Sequence, residues 1–193
     1  MILRILILVL ALNGYSTPSL SASCDRGTRL IAETPGSQGV PGVPGIPGAP
    51  GVLGFSDFYA LMTNDNAAPV AAAGAVEFPR DGGSTGTIVR NITNPSSSFV
   101  LPAIGTYLVE FQVSVSSAGQ LMLRLNGGLV ANSVVGRATG SDQLVAFSLV
   151  TTTSLNSILE VINPPGNPSA LIITPLAGGT QPVSAHLTVT QIQ

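Results

Sequence analysis

Glycine recurs at every third position from Gly36 to Gly54, in the run GSQGVPGVPGIPGAPGVLG. The seven glycines are Gly36, Gly39, Gly42, Gly45, Gly48, Gly51 and Gly54, and Pro41, Pro44, Pro47 and Pro50 all close their triplets. That phase is the requirement of a collagen-type triple helix. Each chain takes the polyproline II form, and only glycine fits where three chains meet at the axis. A flexible Gly/Pro linker shares the composition, but nothing in a linker keeps glycine in phase through six triplets. The run therefore predicts a homotrimer before any fold is known. At roughly 3 Å per residue the stem spans only about 55–60 Å. A second element must bring the three chains together.

Residues 55–193 are the candidate for that element. Short runs rich in Val, Ile and Thr alternate with clusters of Gly, Pro, Asn and Ser, and no helical period competes. In Thr106–Ser116, Tyr107, Val109, Phe111, Val113 and Val115 point one way, and Leu108, Glu110, Gln112 and Ser114 the other. Leu121, Leu123 and Leu125 alternate up to Asn126-Gly127, a pair suited to a tight hairpin turn with positive φ. Leu144–Val150 is apolar on both faces apart from Ser148, which suits either a central strand or one covered by a neighbouring subunit. Further strands are expected at 157–162, 170–174 and 183–192, with weaker ones near 57–62, 75–78, 87–92 and 98–101. The segment from Arg80 to Gly83 reads as a turn. Eight to ten strands of this kind fit a two-sheet jelly roll. The predicted fold class is all-β, a jelly-roll β-sandwich preceded by a short collagen-like stem.

The N-terminus has the layout of a secretory signal peptide. Arg4 precedes the apolar run Ile5–Leu12, and small residues follow up to Ser23. Eight apolar residues are too few to span a bilayer, so no spanning segment is expected once the signal is removed. The chain is expected to divide into a signal peptide (1–23), a flexible spacer (24–35), the Gly-X-Y stem (36–54) and a trimerisation head (55–193). Three fates stay open for Cys24, the single cysteine: acylation as the first mature residue, an interchain disulfide beside the stem, or a free thiol in a flexible tail.

Charged residues make up only 8% of the chain, and all seven basic residues are arginine. In residues 55–193, four Arg against seven acids leave a formal charge of −3. No basic patch is available to neutralise phosphates, so nucleic acid is not an expected partner. His186 is the only histidine, and Cys24 lies outside the head. That leaves no catalytic residues, no cofactor site and no metal site to propose, and the chain is read as a non-enzyme. The loop Asn64-Asp65-Asn66 has oxygen ligands but lacks further acids at calcium spacing. Asn91-Ile92-Thr93 is a glycosylation sequon, so Asn91 is a candidate modification site in a eukaryotic secretory route.

The segment FVLPAIGTYLVEF, residues 99–111, resembles the signature of complement-type globular heads. Phe99, Gly105, Tyr107 and Phe111 match it, and Val109 stands in place of the middle phenylalanine. The wider text GFSDFYALM, GTYLVEFQVSV, GQLMLRLNG, VVGRATG, LVTTTSLNSILEV and ITPLAGGTQPVSAHLTVTQ resembles the C-terminal domain of BclA-like collagen-like surface glycoproteins, over about residues 36–193. The resemblance implies a tumour-necrosis-factor/complement-like jelly roll that assembles as a tight homotrimer. It also implies a surface filament protein, as on the exosporium, the outermost layer of bacterial spores. Some complement-type heads bind calcium near the trimer axis, but no residue here localises such a site. Members of the BclA-like group carry longer, Thr-rich repeats and a non-secretory N-terminal targeting segment, whereas this chain has a minimal stem and a signal-peptide layout.

Two functions are compatible with these features. One is a structural protein of a cell, spore or particle surface, with other surface-layer proteins as partners. The other is a secreted recognition protein or adhesin whose head loops bind a glycan or a host receptor. Both place the protein in a secreted or extracellular surface location, and fold alone does not choose between them.

Overall fold

The structure is a computed structural model that describes residues 36–43, 45, 51–61, 65–173 and 183–193. Cys24, Gly48 and Asn64 lie outside the described residues. The chain forms two compact units, Met1–Ile46 and Pro47–Gln193. The described residues of the first unit are exposed and have no regular secondary structure.

The described residues of the second unit form ten strands: β1 (Gly54–Leu61), β2 (Arg80–Ser84), β3 (Val89–Arg90), β4 (Ser98–Leu101), β5 (Gly105–Val115), β6 (Gly119–Leu125), β7 (Gly128–Arg137), β8 (Asp142–Thr152), β9 (Ser157–Ile162) and β10 (Val183–Gln191). No helix occurs among the described residues. The strands form two antiparallel sheets, ordered β2-β1-β10-β5-β8 and β3-β4-β9-β6-β7. Without the short strands β2 and β3, the order is β1-β10-β5-β8 against β4-β9-β6-β7. Successive strands alternate between the sheets except at the β6–β7 hairpin, which is the strand order of a jelly roll.

Alternation decides which side chains enter the core. On β5, Tyr107, Val109, Phe111, Val113 and Val115 are all buried, as their period-two spacing predicts. Ala185, Leu187 and Val189 of β10 and Leu121 and Leu123 of β6 join them. Three aromatic rings fill one part of the core, with Phe99 4.3 Å from Phe58 and 6.1 Å from Phe78 between centroids. The Arg90 guanidinium closes this cluster, 4.9 Å above the Phe58 ring, and its Nε donates to Asp81 at 2.7 Å. The β6–β7 turn places Asn126 at φ 49° and Gly127 at φ 81°, the conformation that the Asn-Gly pair favours.

Loops are held by side chains whose spacing carries no periodic signal. Asn163 is fully buried after β9, and its amide nitrogen donates to the carbonyls of Val70 (2.9 Å) and Ser169 (3.2 Å). It thereby ties the segment before Ala75 to the proline-rich loop at 164–168. The Tyr107 hydroxyl donates to the Ala103 carbonyl at 2.9 Å and accepts from the Ala103 amide at 3.1 Å. Burial pushes the Tyr107 phenol up, against the opposing pull of the Ala103 bond. Gly105 lies against the chain's C-terminus: a Cβ there would run into the Gln193 carbonyl.

Several local expectations are corrected. Residues 80–84 are not a turn but strand β2, paired with β1 through the register Tyr59↔Arg80 and Phe58↔Asp81. Its glycine at 82 has a packing cause, because a Cβ there would collide with the Asp57 carboxylate. The segment at 170–173 forms only the single bridges Val70↔Leu171 and Val115↔Ile173, and that at 75–78 only Ala75↔Ile162. The weak strand near 87–92 shrinks to the two residues of β3. β7 has little apolar alternation because it is exposed along most of its length; only its hairpin turn marks it in the sequence.

On the outer surface of the second sheet, Glu160 accepts from Arg124 Nε at 2.6 Å and from the Ser98 hydroxyl at 2.9 Å. Burial works to raise the Glu160 pKa, but the two hydrogen bonds and the Arg124 charge outweigh it and hold the carboxyl below its ordinary value. A carboxylate with a depressed folded-state pKa stabilises the fold above its unfolded pKa. That contribution is lost as pH falls through the folded-state value. Glu160→Gln should therefore lower stability at neutral pH and flatten the acid limb of the stability curve, as read by urea unfolding over a pH series. Phe111→Ala should cost about 3–5 kcal/mol in the same assay, through lost burial and the cavity left behind.

Candidate assembly interface

The other surface of the β2-β1-β10-β5-β8 sheet has a different character. Its strand register places three rows of outward residues across the sheet. Phe147, Glu110, Thr188 and Asp57 form one row, Val145, Gln112, His186 and Tyr59 the next, and Leu149, Leu108, Thr190 and Phe55 the third. On β8 the three outward residues in these rows are apolar: Phe147 is 70% exposed, Leu149 59% and Val145 43%. The middle strands carry hydroxyls and amides. The β1 side presents aromatic rings and a carboxylate, with His186 Nε2 against Asp57 Oδ1. A shallow depression of about 190 Å³ lies beside Phe147, between Glu110, Gln112, Val145, His186 and Thr188.

The central-strand reading of Leu144–Val150 is corrected. β8 is an edge strand, paired with β5 alone among the described strands, so it is not central. Its inward residues Leu144, Ala146 and Val150 are buried, and its outward residues face solvent in the single chain. Val145, Phe147 and Leu149 together put three large apolar side chains on one sheet face, unlike isolated surface leucines.

The residues singled out in the sequence fall into separate places. Phe99, Tyr107, Val109 and Phe111 are core residues, buried on the far side of the sheet from the apolar row. Gly105 serves the close approach of the C-terminus. His186 lies in the middle of the outward face. Asp65 is committed to its own loop: it accepts from Arg80 Nε and from the Leu61 amide, at 2.7 and 2.8 Å. Burial works to raise its pKa, and the bonds and charge of Arg80 and Leu61 bring it below the ordinary value. Asn66 is likewise occupied, by the Glu77 backbone. No group of three His, Cys, Asp or Glu able to hold a metal ion occurs among the described residues. Asn91 follows β3 in an exposed loop, where its Oδ1 accepts the Thr93 amide and Ile92 is 96% exposed. Phe55, Asp57 and Tyr59 were not legible as surface residues of a shared face, because membership depends on the pairing of β1 with β10.

No protein-family model matches the sequence, and no curated protein does. Solved structures similar to this chain include the globular domain of zebrafish complement 1qA protein, at 15% identity and a TM-score of 0.46, covering 72% of this chain and 98% of that one. Two crystal structures of murine APRIL are also similar. One, at pH 8.5, has 10% identity and a TM-score of 0.47 over 72% of this chain and 98% of that one. The other, at pH 8.0, has 12% identity and a TM-score of 0.48 over 71% and 98%. The jelly-roll assignment stands on the strand order. Among the described residues, no helix is long and apolar enough to cross a membrane.

Proposed function

We propose that this chain is a non-catalytic, homotrimeric, collagen-like structural protein of a cell, spore or particle surface, whose jelly-roll head drives trimerisation and nucleates the stem. The observation that carries the reading is the glycine phase together with its lack of purpose in one chain. A Cβ added at Gly36, Gly39, Gly42, Gly45 or Gly51 would meet nothing within 4 Å. Glycine at those positions relieves no crowding within a single molecule, which supports a reading in which the crowding comes from other chains, as at a triple-helix axis.

The outward face of the β1-β10-β5-β8 sheet supports the same reading. A threefold ring is closed by head-to-tail contacts, which need two different patches on each copy. This face has them: an apolar β8 side with Phe147, Val145 and Leu149, and an aromatic, hydrogen-bonding β1 side with Phe55, Tyr59 and Asp57. Covering the apolar row would remove it from water at about 25 cal/mol per Å².

In light scattering the head should run at three times its chain mass. Phe147→Glu, which leaves the buried core untouched, should release monomers that keep their β-type circular dichroism. A wild-type head that is monomeric at micromolar concentration would falsify the trimer. Fractionation of the native source tests the structural role. Recovery on the surface layer agrees with it, and free protein with saturable glycan or receptor binding would replace it with recognition.

A further inference from the structure

The last triplet of the stem breaks the proline rule. The third positions read Gln38, Pro41, Pro44, Pro47, Pro50 and then Leu53. Leu53 differs from proline in having a backbone N–H, and that N–H donates to the Gln191 carbonyl at 2.8 Å. Proline at this position would delete the bond. The reason for glycine changes at the same point. A Cβ on Gly51 would meet nothing within 4 Å, whereas one on Gly54 would lie 2.5 Å from Thr87 Oγ1 and 3.2 Å from Thr85 Oγ1. Gly54 already pairs with Gln191 as the first residue of β1. Its neighbour Phe55 exchanges bonds with Thr85, donating to Oγ1 at 3.0 Å and accepting from the amide at 2.9 Å.

We infer that the triple helix ends at Gly51 and that Gly51–Gly54 is a joint, in which the Leu53 N–H to Gln191 bond hands each chain from the common axis to its own head. The inference rests on the trimer reading. In a triple helix the three chains are staggered along the axis, while three heads related by threefold symmetry present their junctions at one height. The mismatch has to be absorbed between the last proline and the first sheet residue, and no spacer intervenes. Val52 and Leu53, half exposed and without proline's fixed φ, supply the adjustable backbone. The Leu53 bond then anchors the head-side end of the joint. Once the heads associate, the three Gly51 residues are held close enough to start the stem.

The two assignments of Leu53 predict opposite signs. If residues 51–53 belonged to the triple helix, Leu53→Pro would complete the proline series and strengthen the stem, since proline presets the required φ. At a joint, the same change cuts the tie to Gln191. The experiment is amide hydrogen exchange on the full chain, read separately over stem and head, with light scattering for mass. Leu53→Pro is expected to reduce stem protection to that of the free stem peptide while the head stays trimeric and protected. Leu53→Ala, which keeps the N–H, should leave the stem protected. Stem protection that rises or is unchanged in Leu53→Pro would overturn the inference. Should Leu53→Pro also lose the head, the glycine pair decides. Gly51→Ala should lose stem protection only, and Gly54→Ala should lower the thermal midpoint of the head. Identical effects of the two changes, both confined to the stem, would also overturn it. A wild-type chain that is monomeric, or a trimer with an unprotected stem, would instead refute the trimer and stem reading itself.

Discussion

The head depends on the position of its last strand. β10 lies between β1 and β5, so the first and last strands of the sandwich are hydrogen-bonded neighbours and the sheet is incomplete without the C-terminus. β5 receives the closing contact, with the Thr106 amide donating to the Gln193 carbonyl at 2.9 Å and the Ile192 amide to the Thr106 carbonyl at the same distance. The loop before β5 is then sealed by Tyr107 and Thr152, which both donate to the Ala103 carbonyl. These pairings join residues far apart in sequence, and such contacts form slowly because loop closure precedes the gain from pairing. The first sheet of the head is thus complete only once β10 is in place.

The same sheet has two faces with different work. Its inner face is packed with β-branched and aromatic side chains in strict alternation. Its outer face is graded from apolar at β8 to polar and aromatic at β1. Low charge across the chain fits this division, because neither face has many groups that would resist being covered. Of the arginine pairs, Arg124–Glu160 lies on the second sheet, Arg80–Asp65 and Arg90–Asp81 involve the edge strand β2, and Arg137–Asp142 joins the end of β7 to the start of β8. The exposed pair Arg137–Asp142 contributes little to stability. Arg90 is more than an ion pair, since its guanidinium also covers the aromatic cluster of the core.

Much of the core was legible from the sequence because it depends on period alone. Tyr107, Val109 and Phe111 had to share a face of β5, and Asn126-Gly127 had to be a hairpin turn, whatever the rest of the chain did. β2 was misread because Arg80-Asp81-Gly82-Gly83 has the composition of a turn. What makes it a strand is a neighbour, β1, and an Asp57 side chain that requires the bare glycine beside it. The strand expected at 170–174 erred the other way, since the apolar residues among 170–173 serve isolated bridges and the core without forming a strand.

What the sequence determined by itself was everything that follows from local repetition. The Gly-X-Y phase is the basis for proposing three chains, since a triple helix needs a bare α-carbon at every third residue where chains meet. The period-two runs called for a sandwich, since a strand with one apolar face must bury it against a second sheet. The tertiary structure alone decided that β8 is an edge strand, and that Phe55, Asp57 and Tyr59 share its outward face. It also decided that the last glycine of the run serves a threonine pair in the head. These facts depend on register between distant strands, and register is set by which backbones pair. No short window of sequence contains both partners.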